Sequence, residues 1–196
     1  VEKTSFSRKH KLFVEEELKQ LKKYAAENGV TMAALLCTAY GKVLKHWSNQ
    51  RRFAINLTVF NRLPFHEDVN NIIGDFTSVI LIDCDLKEKN FIDQVKGVQE
   101  KILSALEHRH YDGVEFIRDL AKENNMINQV ITPIVFTDVG DNYQYENENE
   151  EIAYEPIMEE FQGITQTSQV YLDNQVAQRN GQLSIVWDYI QDIFEE

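Results

Sequence analysis

Phe60-Asn61-Arg62-Leu63-Pro64-Phe65-His66-Glu67-Asp68-Val69, then Ile72-Ile73-Gly74-Asp75-Phe76-Thr77-Ser78, then Val79-Ile80-Leu81-Ile82-Asp83, is the stretch on which the reading of this chain turns. Its order is that of a strand end, a polar loop closed by proline, a glycine turn and a second apolar strand. Pro64 fixes its own φ and pushes Leu63 out of the helical region. Gly74-Asp75 supplies a tight turn before a β-rich run. The stretch is a loop joining two buried strands, and loops held by a rigid scaffold commonly carry function.

Working back from it, residues 53–60 read as a strand, with Phe53, Ile55, Leu57 and Val59 alternating with Ala54, Asn56 and Thr58. Thr31 is placed to cap a helix over residues 32–47, whose apolar residues cover much of the circumference and predict deep burial. Val14, Leu18, Leu21 and Ala25 predict an amphipathic helix over residues 11–28, stopped by Gly29. Working forward, the run 79–83 is apolar enough for a strand covered on both faces. Phe91, Val95, Val98, Ile102 and Leu106 predict a helix over 91–106. Asp112 with Glu115 resembles a capping box opening a short helix through Val114, Ile117 and Leu120. Residues 131–137 form a strand that Pro133 restricts to an edge or to the strand start. Residues 169–175 and 183–187 read as a final strand pair around Asn180-Gly181, with flanking polar residues suggesting a loop longer than two residues. Residues 141–155, acidic and Asn-rich, read as a solvated loop. There is no internal repeat, and the class is α/β, a mixed sheet packed with α-helices.

At 196 residues one domain is the default, with an expected radius of gyration of about 16 Å. The hydrophobic share of 43% is enough for a sizeable core. A formal net charge of −12 argues against nucleic acid or an anionic membrane as partner, since both select a basic face. No apolar run approaches the length of a membrane span. Cys37 and Cys84 sit in apolar runs and read as small buried hydrophobes, which fits a reducing cytoplasm. The start at Val1, with no initiator methionine and no signal-peptide pattern, reads as a chain cut from something longer.

Five blocks carry a family resemblance in a fixed order. They are the helix opening Thr31-Met32-Ala33-Ala34-Leu35-Leu36, Asn56-Leu57-Thr58-Val59-Phe60-Asn61-Arg62 leading into the Gly74-Asp75-Phe76-Thr77-Ser78 turn, His108-Arg109-His110-Tyr111-Asp112-Gly113-Val114-Glu115, Thr132-Pro133-Ile134-Val135-Phe136-Thr137, and Thr165-Gln166-Thr167-Ser168-Gln169-Val170-Tyr171-Leu172-Asp173-Asn174-Gln175 with the closing Trp187-Asp188. The chain resembles the heterocyclization domains of nonribosomal peptide synthetases, relatives of condensation domains that make thiazoline and oxazoline rings. The resemblance implies a chloramphenicol-acetyltransferase-like lobe. The family's Asp-x-x-x-x-Asp motif belongs to its first lobe and is missing here, so residues 1–196 are expected to be the C-terminal lobe alone, inactive by itself. The His-His-x-x-x-Asp motif of ordinary condensation domains is also absent, which leaves an ordinary condensation lobe as runner-up.

The resemblance implies transfer of a carrier-bound acyl or peptidyl thioester to the amine of a carrier-bound Cys, Ser or Thr, followed by cyclodehydration. It implies no directly bound cofactor, the substrates riding on the 4'-phosphopantetheine of carrier proteins. The partners implied are the N-terminal lobe, donor and acceptor peptidyl carrier proteins and a neighbouring adenylation domain, with no nucleic acid and no membrane. By motif position the catalytic pair falls on Thr137 and Asp173, with Asp173 moving protons and Thr137 orienting it or the leaving oxygen. Asn61, Gln169 and Thr165 are supporting or substrate-binding candidates. Without the resemblance, Thr137 is an ordinary β-branched strand residue, Asp173 an acceptor of backbone hydrogen bonds near a turn, and Asn61 a residue bonding its own turn. Asp138 stands where the family has Ser, and strand alternation points it away from Thr137. A metal site on His108, His110 and Asp112 is disfavoured, because residues two apart on a helix diverge. A carrier-docking module without turnover is the non-enzymatic alternative.

Overall fold

The computed structural model describes residues 5–88, 90–126, 129–139, 169–179 and 181–194. The elements in order are β1 (Phe6–Phe13), α1 (Glu15–Glu27), α2 (Met32–Ser48), β2 (Arg52–Phe60), β3 (Thr77–Asp85), α3 (Phe91–Glu107), α4 (Gly113–Glu123), β4 (Ile134–Asp138), β5 (Leu172–Arg179) and β6 (Gln182–Ile190). One six-stranded mixed sheet runs β1-β6-β5-β4-β2-β3. β4 is parallel to both neighbours, and the remaining pairs are antiparallel. The α/β class expected from sequence is the class observed.

The helix caps behave as their residues dictate. The Thr31 side chain accepts from Ala34 N–H at 3.1 Å and opens α2. Asp112 does the same for Glu115 N–H at 2.8 Å and opens α4. Leu35 and Leu44 of α2 and Val95, Val98 and Ile102 of α3 pack with Ile55, Ile82, Phe136, Leu172, Val176 and Leu183 of the sheet. These strand residues alternate with polar ones, so one face of the sheet is the core wall and the other is largely polar. Tyr40 of α2 packs between Phe136 and Trp187, ring centroids 6.3 and 5.8 Å away. Cys37 and Cys84 are free and fully buried. Burial pushes the Cys84 thiol up to about 12 and raises that of Cys37 too, leaving both as protonated packing groups.

Two expectations are corrected, and two are met with added detail. Residues 11–13 belong to β1, and the helix begins only at Glu15. Phe6 to Phe13 pairs residue by residue with Ile190 to Leu183, and a strand rich in charges suits a sheet edge. The run 79–83 lies in the other edge strand and is nevertheless covered on both faces, as expected. Ile80 and Ile82 face the core, while Val79 and Leu81 meet the start of α4. The short α4 forms as expected, with Val114 on its exposed side. The last hairpin is tighter than expected, since Arg179 pairs with Gln182 and leaves two residues between the strands. Gly181 there has φ +74°, a conformation that disfavours side chains. Polar flanks did not end the ladder because backbone pairing is indifferent to their side chains. The acidic stretch 141–155 lies outside the described residues. Among the described residues no helix is long and apolar enough to cross a membrane.

Candidate active site

The polar face of the sheet gathers a row of side chains because strand register places them side by side. Thr58 pairs with Thr137, Val135 with Asp173, Asp173 with Asp188, and Asp188 with Arg8. Directly paired residues share a face, and Gln175 joins the row two positions after Asp173. The row spans five strands.

Its hydrogen bonds are continuous. Thr58 Oγ1 lies 3.0 Å from Thr137 Oγ1, and Thr137 Oγ1 donates to Asp173 Oδ1 at 3.3 Å. With its proton directed at Asp173, Thr137 accepts from Thr58. Gln175 Nε2 donates to Asp173 Oδ2 at 2.8 Å and to Asp188 Oδ2 at 3.3 Å. Arg8 closes the row with a bidentate pair on Asp188, Nε to Oδ1 and Nη2 to Oδ2, each 2.6 Å.

Asp173 is held above the usual carboxylate range. Burial is the largest cause, and the Asp188 charge adds to it; the hydrogen bonds from Gln175 and Thr137 and the Arg8 charge act against them. A carboxyl in this state takes up a proton more readily than an exposed one, as a group that shuttles protons must. Asp138 lies on the Cys37 side of the sheet, as strand alternation requires, where its charge contributes to the raised Cys37 thiol.

Asn61 serves the loop. Its N–H donates to Phe76 O at 2.8 Å and its Nδ2 to Arg109 O at 3.3 Å, tying the strand end to the segment before α4. Its Oδ1 is buried without a hydrogen-bond partner. Arg62 organises the same loop, with its guanidinium 3.8 Å from the Phe76 ring centroid and hydrogen bonds to the carbonyls of Val69 and Ile72. Asp75 accepts from Thr77 N–H at 2.8 Å, a turn role. Gln169 is exposed with φ +74°, three positions before β5 begins, and the glutamine bonded to Asp173 is Gln175. Thr165 lies outside the described residues. His108 bonds Ser104 O, His110 packs on Phe65 and Asp112 caps α4, so these three have local tasks. Among the described residues no group of three or more His, Cys, Asp or Glu is placed to hold a metal ion.

Sequence reasoning brought Thr137 and Asp173 forward, and the fold sets them in contact. It passed over Thr58, Gln175, Asp188 and Arg8. The signal for Gln175 was available, since residues two apart on a strand share a face. Arg8 carried no signal, because its strand was not foreseen.

A family model described as the condensation domain matches residues 1–196. Bacitracin synthase 1 of Bacillus licheniformis is 48% identical over 182 residues, covering 90% of this chain and 3% of that protein. Phenyloxazoline synthase MbtB of Mycobacterium tuberculosis is 34% identical over 178 residues, covering 87% of this chain and 12% of that protein. The solved cyclization-docking bidomain of the EpoB nonribosomal peptide synthetase from Sorangium cellulosum superposes with a TM-score of 0.73 at 28% identity, over 97% of this chain and 38% of that one. The chain thus spans a small part of the relatives it matches.

Proposed function

The chain belongs to the condensation-domain family, and from that premise we propose that it is the C-terminal lobe of a heterocyclization domain in a nonribosomal peptide synthetase. The observation that carries this reading is the contact between Thr137 Oγ1 and Asp173 Oδ1 on the polar sheet face. Likeness to a phenyloxazoline synthase and to a cyclization domain supports ring formation over amide formation alone. A lobe comparable to 38% of the EpoB bidomain chain leaves room for an N-terminal lobe facing the polar row.

In the proposed first step the amine of a carrier-bound Cys, Ser or Thr attacks the upstream thioester carbonyl. The C–S bond breaks, the amide C–N bond forms, and the amine proton goes to the departing thiol of phosphopantetheine. In the second step the side-chain thiol or hydroxyl attacks the new amide carbonyl. The C–O bond then breaks, C=N forms, and the protons leaving the nucleophile and the amide nitrogen depart in one water. Asp173 carries a proton between these atoms. Thr137, supplied by Thr58, orients the carboxylate or the leaving oxygen. Asn61 supports the loop beside the cleft, and Gln169 and Thr165 stand as substrate-side candidates. Donor and acceptor carrier proteins present both substrates, and the adenylation domain loads the acceptor.

The test uses the full synthetase carrying this chain, with loaded carriers and mass spectrometry of the carrier-bound product. We expect a condensed product lacking one water from the unmodified protein. Asp173→Ala should leave the linear amide, with ring closure slowed about 10²–10⁴-fold. Linear amide from both would move the domain to ordinary condensation, and carrier binding with neither product would reduce it to a docking module.

A further inference from the structure

We propose that Arg8 and Asp188 are positioning residues that act on Asp173 through Gln175 and set the pH range in which ring closure runs. The proposal rests on the ring-forming reading of Asp173. The three residues reach Asp173 from three strands. Arg8 on β1 grips both oxygens of Asp188 on β6, and Gln175 on β5 places one amide nitrogen between the two carboxylates. That nitrogen carries two hydrogens, so it serves both acids at once. Gln175 therefore cannot follow Asp188 without moving the hydrogen bond that orients Asp173.

Asp188 is only 7% exposed. A buried Arg–carboxylate pair is a weak source of stability compared with apolar groups of the same volume. Its informative feature is its place, one strand from the carboxylate assigned to proton transfer. Among the described residues, these groups face Asp173 or flank its row. β6 offers Asp188 and β1 offers Arg8. Tyr40 of α2 lies across the sheet on the core face, and burial keeps its hydroxyl protonated. β4 and β2 offer the hydroxyls of Thr137 and Thr58. His10, two positions along β1, is engaged with Ser184 Oγ at 3.1 Å.

The two charges of the pair act on Asp173 in opposite senses, Asp188 holding its proton and Arg8 releasing it. Arg8→Gln removes the positive charge that favours the ionised form of Asp173 and keeps the Asp188 charge that opposes it. Asp188→Asn keeps the shape of the side chain and removes the negative charge that holds the proton on Asp173. As a base, Asp173 gives a rate that climbs with pH through its own titration. We expect that rising limb to move to higher pH in Arg8→Gln and to lower pH in Asp188→Asn. Arg8→Lys keeps the charge but loses the fork, so its limb should stay while the rate falls by up to about 10²-fold.

The experiment follows the cyclised and linear carrier-bound products of the full synthetase against pH for each variant, with a thermal melt of each. Should Arg8→Gln fail to fold, Asp188→Asn and Arg8→Lys carry the comparison. Opposite shifts, or a lowered limb in Asp188→Asn beside an unmoved one in Arg8→Lys, support the proposal. Ring product from the unmodified synthetase with no limb displaced by Asp188→Asn would overturn the positioning role and leave the ring-forming reading intact. No ring product from the unmodified synthetase at any pH would overturn that reading, and the proposal with it.

Discussion

Asp173 is a residue whose surroundings favour its proton. Its folded-state titration lies above that of an unfolded Asp, chiefly through burial. Stability from such a group is fully present below the unfolded value and is lost as pH rises through the folded one. Asp173→Asn should therefore melt at a higher temperature than the unmodified chain near neutral pH. The advantage should vanish below about pH 4, where an ordinary Asp is protonated in both states, while ring closure is lost throughout. A melting curve at several pH values checks this, and an Asn variant less stable at neutral pH would contradict it. Thr137 was legible here only through its motif, since its residue type is common in any strand. Gln175 was in plain view within the same motif, but its bond to two carboxylates depends on β6 lying beside β5. Arg62 shows the reverse case, an arginine in a signature loop that clamps the loop itself onto Phe76.

The start of α4 meets the sheet more closely than any side chain would allow. A Cβ on Gly113 would lie 2.7 Å from Leu81 Cδ1 and 2.8 Å from the Val79 carbonyl oxygen, and the latter is backbone that cannot step aside. Gly113→Ala should destabilise the chain by about 1–3 kcal/mol, read as a lower urea midpoint, and an unchanged midpoint would show that α4 moves freely. At the core, Phe136 is fully buried on the central parallel strand. Phe136→Ala should cost about 3–5 kcal/mol, measured in the same way; a loss under half of that would mean that the helices collapse into the space. Caps and periodicities made α2, α3 and α4 readable, since a cap is decided within three residues. β1 was not, because the charged run from Arg8 to Lys11 has no apolar alternation and becomes a strand only by pairing with β6.

Among the described residues one sheet has its core under α1, α2 and α3 on one face, while a polar row crosses the other and α4 covers that face only at the β3 edge. Two tethered substrates are held in reacting geometry only when the opposite wall of the cleft is present. The 196-residue chain purified alone should melt cooperatively yet give no ring product from loaded carriers. Ring formation by the isolated chain would overturn the two-lobed reading. The sequence by itself determined the α/β class, the starts of α2, α3 and α4 within a residue, the turn chemistry of the signature loop and the identity of Thr137 and Asp173 as candidates. These rest on short-range physics: helical periodicity, capping, proline and glycine geometry, and motif order. Only the tertiary structure decided which strands are neighbours, that the apolar run 79–83 lies at an edge, and that Arg8 meets Asp188 from 180 positions away. Strand partners are chosen by backbone hydrogen bonds and shared burial across the whole sheet, and neither leaves a mark on the local sequence.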